Sequence, residues 1–414
     1  MRADPVLSGV LPRSHRGRVL AAGALLDAVA TGLYQAVATL YFVQHVGIPA
    51  ASVGLALTLA NTFGLLVPMP VARLTRRIGV TRVYVALLVL RGIGMAGYVL
   101  VDGYWRYLLV TAFFTAASRA ALPLLQVLVG QMEGEGDRTR TMASMRTVNN
   151  IGLATGFFFA AGVQLFQSRV AYQVLFLVGG IAFALVSFVT VAATRGIEGR
   201  DAAVPDKEKR PKTVYRDARF MVVAVANAAL LLHDSMLFIL IPLWVVQRAG
   251  LSPTASSVLL MLNTAITVLI QVRLAKHGKG FGGSMRLLRW SVVALGVASL
   301  FLGTAGGGGD KWVLIGLLAA AVVLLTVGEN LHAIAGWELS FLLSAPEQRA
   351  QYLSLFSLGY TGQLIVGPVL MTSVVLPWGM PGLLLMILVF VLAAVATSIA
   401  VRGHEAVREA EVRA

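Results

Sequence analysis

The sequence predicts an all-α polytopic membrane protein with twelve transmembrane helices, and its composition and length support this fold class. The chain of 414 residues is 57% hydrophobic and 13% charged, and its mean hydropathy is +0.80. Soluble domains carry about 25% charged residues. Their cores stop growing at about 250–300 residues, so one soluble core cannot bury this much apolar surface. A soluble enzyme, a secreted disulfide scaffold and a disordered chain are therefore excluded.

Twelve apolar stretches follow one another along the chain, and each is long enough to cross the hydrocarbon layer of a bilayer. The first stretch follows a basic start, exceeds the apolar length of a secretion signal and contains Asp27, so we expect it to be retained as a span. In chain order, the predicted spans are 19–44, 52–71, 82–101, 105–131, 144–166, 170–193, 219–247, 254–274, 286–305, 312–340, 352–376 and 381–402.

The positive charges indicate the orientation. With the amino terminus in the cytoplasm, 28 of the 34 Lys and Arg residues fall in cytoplasmic loops and tails or at the cytoplasmic ends of spans, four fall outside, and Arg91 and Arg119 lie deep within spans. The outside residues are Arg106, Arg169, Arg248 and Lys311. This asymmetry follows the positive-inside rule, which places both termini in the cytoplasm. We expect a bacterial inner-membrane protein whose net charge of +15 reflects topology and not nucleic-acid binding.

The chain is expected to divide into two six-helix halves, residues 1–194 and 219–414, joined by a cytoplasmic linker at 195–218. Residues 195–219 contain eight basic side chains, two prolines and no apolar run, which is typical of a flexible connector. Asn61-Thr62 in span 2 recurs as Asn263-Thr264 in span 8, and residues 47–49 resemble residues 250–253. Repeated halves are a common way to build a transporter.

The loop between spans 2 and 3 carries a family signature. Residues 72–82 resemble the motif G-x-x-x-D-R-x-G-x-x-[RK] of the major facilitator superfamily through Arg77, Gly79 and Arg82, with Ala72 and Arg76 at its first glycine and its acidic position. The resemblance covers the whole chain. It implies a twelve-helix transporter in which this loop helps to gate the two halves.

Span 5 is similar to the motif G-x-x-x-G-P-x-x-G-G of exporters in that superfamily. Gly152 and Gly156 match, whereas Phe157 stands at the proline position. Residues 146–152 also resemble multidrug and antibiotic exporters. The resemblance implies a drug:proton antiporter in which the glycine pair seals the core, although close helix packing alone also explains two glycines at this spacing.

Span 1 carries a polar stripe. Asp27 lies about 12 Å from the cytoplasmic end of the span at 1.5 Å per residue. Thr31, Tyr34 and Gln35 follow at positions that share its helical face. An ionisable group at the centre of a span costs at least about 2.5–3.5 kcal/mol, so it normally faces a cavity or a partner.

Arg119 in span 4 lies at a depth similar to that of Asp27, and Gln126 shares its face. We therefore hypothesise that Asp27 and Arg119 line one cavity and exchange a proton or the substrate for their mutual contact. Arg91 in span 3 is an alternative partner, and a permanent ion pair that fixes helix packing is an alternative role.

The second half offers four ionisable residues inside spans. Asp234 in span 7 lies near the midplane with Asn227 on its face, which suggests proton or substrate binding, or else a packing contact. The neighbouring His233 would point about 100° away on a regular helix, so we expect a separate structural histidine. Glu329 and His332 in span 10 are three residues apart and can touch.

Neutral polar residues provide further candidates for the substrate cavity. Span 8 presents Asn263 and Thr267 at a spacing of four, and span 11 presents Tyr360 and Gln363 at a spacing of three. Such groups also serve as hydrogen-bonding links between helices without any substrate contact.

Three functions remain open at this stage. The first is export of a small amphipathic drug-like or antibiotic-like compound in exchange for protons by alternating access. The second is proton-coupled import of a sugar or nutrient, and the third is a non-transporting receptor or assembly factor on a transporter-like fold. The expected partners are a small molecule, protons and lipid, and the protein is expected to be monomeric.

No cofactor, metal or enzyme motif is found in the sequence. The chain has no cysteine and therefore no thiolate metal site. Lys279 is followed by Gly280 and not by Ser or Thr, so the phosphate-binding loop of an ATPase is missing. Neither an H-E-x-x-H run nor a G-x-S-x-G elbow occurs.

Overall fold

The computed structural model describes residues 14–132, 135–194, 214, 217–275, 279–345 and 348–413. Of these residues, 91% are helical and none lies in a strand. Eleven of the described helices are long and apolar enough to cross a membrane, and a bent pair of helices makes a twelfth span. The predicted all-α fold class is therefore confirmed. The predicted linker lies outside the described residues except for Val214, Asp217 and Ala218.

The observed helices follow the predicted spans closely. In chain order, the spans are His15–Gln44, Ala50–Leu66 with Pro68–Ile78, Val80–Leu100, Tyr104–Met132, Glu135–Leu165, Arg169–Thr194, Ala218–Gln247, Pro253–Ala275, Gly280–Ala305, Lys311–Leu342, Arg349–Trp378 and Met380–Arg413. We number them spans 1 to 12.

Proline explains the irregular spans. Span 2 bends by 41° where Pro68 opens its second helix. A proline in a continuous helix would clash with the carbonyl four residues earlier. Spans 7 and 11 instead contain wide π-helical turns, Met236–Leu240 and Met371–Val375, just before Pro242 and Pro377. The wider turn accommodates a ring that has no N–H to donate.

The chain forms two compact units. Unit 1 comprises Met1–Asp206 and Pro253–Thr264, and unit 2 comprises Lys207–Ser252 and Ala265–Ala414. The start of span 8 is tied into unit 1, because the Ser257 hydroxyl donates to Gln164 Oε1 at 2.7 Å and Gln164 Nε2 donates to the Ala36 carbonyl at 3.2 Å. The boundaries of the halves at 194 and 219 remain a prediction.

The sequence repeat corresponds to a repeated turn. After span 1, the amides of His45 and Val46 both donate to the Tyr41 carbonyl, and Gly47 has a φ of +80°. After span 7, residues 248 and 249 both donate to the carbonyl of residue 244, and Gly250 has a φ of +66°. Glycine adopts this left-handed conformation at little cost, so both turns depend on the glycine that the sequence repeats.

Aromatic rings fill the interior of unit 1 near this turn. The rings of Tyr41, Phe42, Tyr98, Tyr107 and Phe176 are fully buried and pack in a continuous cluster. The ring of His45 lies 4.8 Å from that of Tyr172. Burial, and secondarily the positive charge of Arg169, lower the pKa of His45 below its ordinary value. The histidine therefore stays neutral at the edge of an apolar cluster.

Spans 1 and 5 approach each other closely within unit 1. A Cβ added to Gly156 would lie 2.5 Å from the Val29 carbonyl oxygen and 2.8 Å from the Leu33 nitrogen. A Cβ on Gly152 would lie 2.8 Å from the Leu25 carbonyl oxygen. Both predicted motif glycines are therefore required by backbone contact between two helices.

We predict that Gly156→Ala destabilises the protein by about 1–3 kcal/mol, the typical effect of overpacking a well-packed interior. Gly162→Ala is the matched control, because a Cβ there has nothing within 4 Å and alanine favours a helix over glycine by about 1 kcal/mol. Thermal unfolding of the purified protein in detergent measures both. Equal stability of the two variants would contradict the close approach.

Candidate functional site

Asp27 on span 1 is paired with Arg91 on span 3 in unit 1. Arg91 Nη1 donates to Asp27 Oδ1, and Nη2 lies 3.3 Å from Oδ2, so the pair is bidentate. The side chains are 26% and 11% exposed, respectively. Two opposite charges therefore compensate each other inside an apolar helical bundle.

The surroundings of Arg91 fix its position. Its guanidinium carbon lies 4.2 Å from the centre of the Phe183 ring on span 6, a cation–π contact. Spans 3 and 6 approach closely there, since a Cβ on Gly92 would lie 2.8 Å from the Gly180 carbonyl oxygen. The Nε atom is buried and has no hydrogen bond within the described structure. The pair thus joins spans 1, 3 and 6.

Arg119 on span 4 has a different partner. Its Nη2 donates to Asn61 Oδ1 on span 2 at 2.9 Å, and Asn61 Nδ2 donates to the Leu57 carbonyl at 2.8 Å. The structure thus pairs Asp27 with Arg91, the alternative partner in the sequence analysis. Asn61 was visible in the sequence only as part of the repeated Asn-Thr pair.

The rest of the span 1 stripe points to the interior of unit 1. The Tyr34 hydroxyl lies 3.0 Å from the Tyr98 hydroxyl. Gln35 Oε1 is buried without a hydrogen bond in the described residues, and Thr31 is half-buried. Gln126 on span 4 is exposed. The stripe therefore exists, and Tyr34 is already engaged by another tyrosine.

Unit 2 contains a buried chain of hydrogen bonds between spans 7 and 10. His332 Nε2 lies 3.0 Å from Asn227 Oδ1, and His332 Nδ1 lies 3.2 Å from His233 Nε2. His233 Nδ1 has no hydrogen bond of acceptable angle, and Asp234 Oδ1 lies 3.2 Å from it. The geometry gives a charge contact at hydrogen-bonding distance but with a poor angle. We name these four residues the histidine chain.

The expectation that His233 and Asp234 stay apart is therefore wrong. It assumed a regular helix, whereas span 7 breaks after Leu230 and continues as a four-residue helix, Leu232–Ser235, before the π-helical turn. The amide of Asp234 donates to the Leu231 carbonyl only three residues earlier. This tighter backbone lets neighbouring side chains converge.

The other predicted residues of unit 2 lie near the same spans. Gln363 Nε2 donates to the Ser235 hydroxyl at 2.7 Å, whereas its Oε1 is buried without a described partner. Thr267 accepts from Asn330 Nδ2 at 3.2 Å. Glu329 is half-buried and close enough to His233 to interact electrostatically. Tyr360 is 48% exposed.

The remaining predicted positions are structural or exposed. Asn263 on span 8 belongs to unit 1 and is buried. Arg77 and Arg82 are exposed, and between them Gly79 has a φ of +89° where the second helix of span 2 ends. The loop therefore requires its glycine for backbone geometry. Among the described residues, no group of three or more His, Asp or Glu side chains fits a metal ion.

A small cavity borders the histidine chain. It has about 210 Å³ of empty space, including its open mouth. Asn227 and His332 are the polar side chains in its lining, and Thr397 on span 12 adds a hydroxyl. The remaining lining is apolar or glycine: Val223, Leu230, Leu288, Gly336, Leu339 and Phe356. The histidine chain is thus accessible at its Asn227 end.

Twelve apolar spans that enclose paired charges are typical of polytopic membrane transporters. The comparisons with known proteins agree. The family model of the Major Facilitator Superfamily matches residues 20–340. The chain therefore belongs to the major facilitator superfamily, and it is an integral membrane secondary transporter and not an enzyme. No curated protein matches the chain.

Solved structures share the fold at low sequence identity. The nucleoside transporter NupG is 14% identical with a TM-score of 0.77, covering 94% of this chain and 99% of its own. A bacterial homologue of the human lysosomal transporter Spinster is 13% identical with a TM-score of 0.71, covering 97% and 98%. A bacterial homologue of the iron transporter ferroportin is 15% identical with a TM-score of 0.70, covering 93% and 98%. These similarities establish the fold alone.

We predict that Arg91→Met destabilises the protein by at most about 3–5 kcal/mol, the effect of breaking a fully buried pair, because it leaves the partly buried Asp27 carboxylate without its partner. The double variant Asp27→Asn/Arg91→Met should be more stable than Arg91→Met, since it removes both charges. Unfolding in detergent by heat or denaturant measures these differences.

The control is the exposed pair between Arg106 and Asp102, whose side chains are 63% and 60% exposed. Surface ion pairs contribute at most about 1 kcal/mol, so Arg106→Met should be nearly silent. If Arg91→Met were equally silent, the ion pair would not be holding spans 1 and 3 together.

Proposed function

We propose that the protein exports a small amphipathic drug-like or antibiotic-like compound in exchange for protons by alternating access. The proposal rests on the partly buried ion pair of Asp27 and Arg91 within a secondary transporter of the major facilitator superfamily. The exporter-like glycines of span 5 support export as the direction, because they form the backbone contact between spans 1 and 5.

The ion pair suggests how cargo and proton compete. A buried charge without compensation is costly, and either a proton on the carboxylate or the neighbouring guanidinium removes that cost. A proton on Asp27 breaks the pair with Arg91 and removes the carboxylate that cargo would contact, whereas cargo that engages the Asp27 carboxylate displaces the proton. The site therefore holds either the proton or the cargo, and the pair with Arg91 compensates the carboxylate when neither is bound. Exchange of one for the other is antiport.

One proton supplies enough energy for this exchange. Moving one charge across the membrane yields about 2.3 kcal/mol per 100 mV, and each pH unit adds about 1.4 kcal/mol. At about 1.4 kcal/mol per tenfold ratio, a single proton supports a cargo gradient of a few hundredfold. Hydrolysis of a nucleotide is not needed.

A resistance screen tests the proposal in cells. Cells expressing the protein are exposed to a panel of amphipathic antibiotics and dyes, with and without an uncoupler that collapses the proton gradient. We expect higher tolerance and lower accumulation of at least one compound, and loss of both effects with the uncoupler. Accumulation that rises on expression would favour the importer, and no change with any compound would favour the non-transporting alternative.

We further predict that Asp27→Asn abolishes uphill, proton-driven transport of the compound that the screen identifies, because a neutral amide cannot exchange a proton for Arg91. Proteoliposomes of known orientation with a pH-sensitive dye inside measure proton and cargo movement together. Asp102→Asn is the matched control, since its exposed pair lies at the start of span 4. Normal uphill export by the Asp27→Asn protein would remove Asp27 from the mechanism.

A further inference from the structure

We infer that His233 and Asp234 hold a second exchangeable proton in unit 2, in addition to the one exchanged at Asp27, and that His332 and Asn227 set the direction of the hydrogen bonds leading to it. This inference rests on the proposed proton coupling and adds a second proton site and its switching element. Four side chains carry it, and all belong to the histidine chain defined above.

The direction of the chain begins at Asn227. Its Oδ1 faces His332 Nε2 at 3.0 Å, and an amide oxygen only accepts hydrogen bonds. His332 must therefore carry its proton on Nε2. Its Nδ1 then has a lone pair, which accepts a hydrogen bond from His233 Nε2 at 3.2 Å. Both nitrogens of the ring therefore have hydrogen-bond partners.

The hydrogen bond between the two rings determines where His233 carries its protons. Since His332 Nδ1 accepts, His233 Nε2 must donate and therefore carries a proton. A neutral His233 would then have a lone pair on Nδ1, with Asp234 Oδ1 3.2 Å away. Two acceptors at that distance repel each other. A second proton on Nδ1 removes the conflict and gives an imidazolium against a carboxylate, with only 2% of the His233 side chain exposed.

These hydrogen-bond directions correspond to a state of the histidine chain that holds one extra proton, which we call the loaded state. In this state His233 has protons on both nitrogens, Asp234 is a carboxylate, and His332 has its proton on Nε2. The net charge of the histidine chain is zero. Glu329 on span 10 is a further titratable group that interacts with His233.

Release of the proton reverses the whole chain. The Nε2 proton of His332 leaves to water, the Nε2 proton of His233 moves to His332 Nδ1, and His233 keeps its Nδ1 proton towards Asp234. His332 Nε2 then needs a donor, which Asn227 supplies by rotating its amide to present Nδ2. One proton has left, one N–H bond on His233 has been replaced by one on His332, and the net charge is −1.

The surroundings of Asn227 permit this rotation. A Cβ on Gly336 would lie 3.0 Å from Asn227 Oδ1, and a Cβ on Gly359 would lie 3.4 Å from Nδ2. Glycine at both positions leaves space around the two ends of the amide. Asn227 and His332 also line the small cavity, which borders the nitrogen that releases the proton.

Nitrogen-15 NMR of histidine tests the inference without any cargo. The full-length protein, labelled in its six histidines, is placed in lipid nanodiscs and titrated from about pH 5 to about pH 9, the range in which histidine changes charge. Loss of signals in His233→Gln and His332→Gln assigns the two rings. Nitrogen chemical shifts distinguish the imidazolium from each neutral tautomer.

We expect the charge of His233 and the tautomer of His332 to change together at every pH. An imidazolium at His233 should accompany a proton on His332 Nε2, and a neutral His233 should accompany a proton on His332 Nδ1. An imidazolium at His233 with His332 protonated on Nδ1, or both rings neutral with protons on Nε2, would overturn the inference.

Asn227→Asp gives a second, sharper arm, because a carboxylate accepts but cannot donate. His332 should then keep its Nε2 proton throughout, and the His233 transition should move upwards by at least about one pH unit. Asn330→Asp on the same span as His332 is the control, since its amide donates to Thr267 and the Thr326 carbonyl. If the tautomer of His332 in the Asn227→Asp protein still changed with pH as it does in the native protein, the inference would be wrong.

The outcomes separate this inference from the proposed function. If the charge of His233 and the tautomer of His332 change together but no proton-driven transport is measured, the proton site stands and the antiport is rejected. Proton-driven transport with independently titrating histidines would retain the antiport and place its proton elsewhere.

Discussion

The absence of water around membrane-spanning helices is the constraint on which the rest of this structure depends. A polar group inside a span must find its partner within the protein, because lipid offers none. The ionisable side chains that the sequence places inside spans accordingly contact specific neighbours in the structure. Asp27 meets Arg91, Arg119 meets Asn61, and His233 meets its own neighbour in the chain. These contacts in turn dictate which spans lie side by side within each unit.

The fold was predictable because the same constraint acts on the backbone. Long apolar runs must be helical in a bilayer, so counting them gives the number of spans, and prolines locate the irregularities. Pro68 bends span 2, and Pro242 and Pro377 follow the π-helical turns. The segment that repeats at 47–49 and 250–253 corresponds to two equivalent turns, each with a left-handed glycine. Each of these features is local, and one stretch of sequence is sufficient to define it.

The partners of the polar groups were less predictable, because they depend on how far each span is rotated about its axis. Depth alone did not decide between Arg91 and Arg119 as the partner of Asp27. In the structure, Gly92 contacts the backbone of span 6, and this contact brings Phe183 beneath the Arg91 guanidinium. The rotation of span 3 that these contacts define places Arg91 beside Asp27. The pairing of His233 was missed for a different reason. Helical periodicity applies to a regular helix, and span 7 is irregular at that point.

The two units compensate their buried polar groups by different physical means, and this difference matters for a proton-coupled carrier. In unit 1, the pair of Asp27 and Arg91 is stable until cargo or a proton competes for the carboxylate. In unit 2, the two imidazole rings and the Asn227 amide can each donate or accept, so under the further inference a single proton reverses the hydrogen bonds between them without moving a helix. The ion pair responds to cargo and proton in competition, whereas the histidine chain responds to protons alone. Under the proposed function, the carrier uses both kinds of response, and each unit contributes one of them.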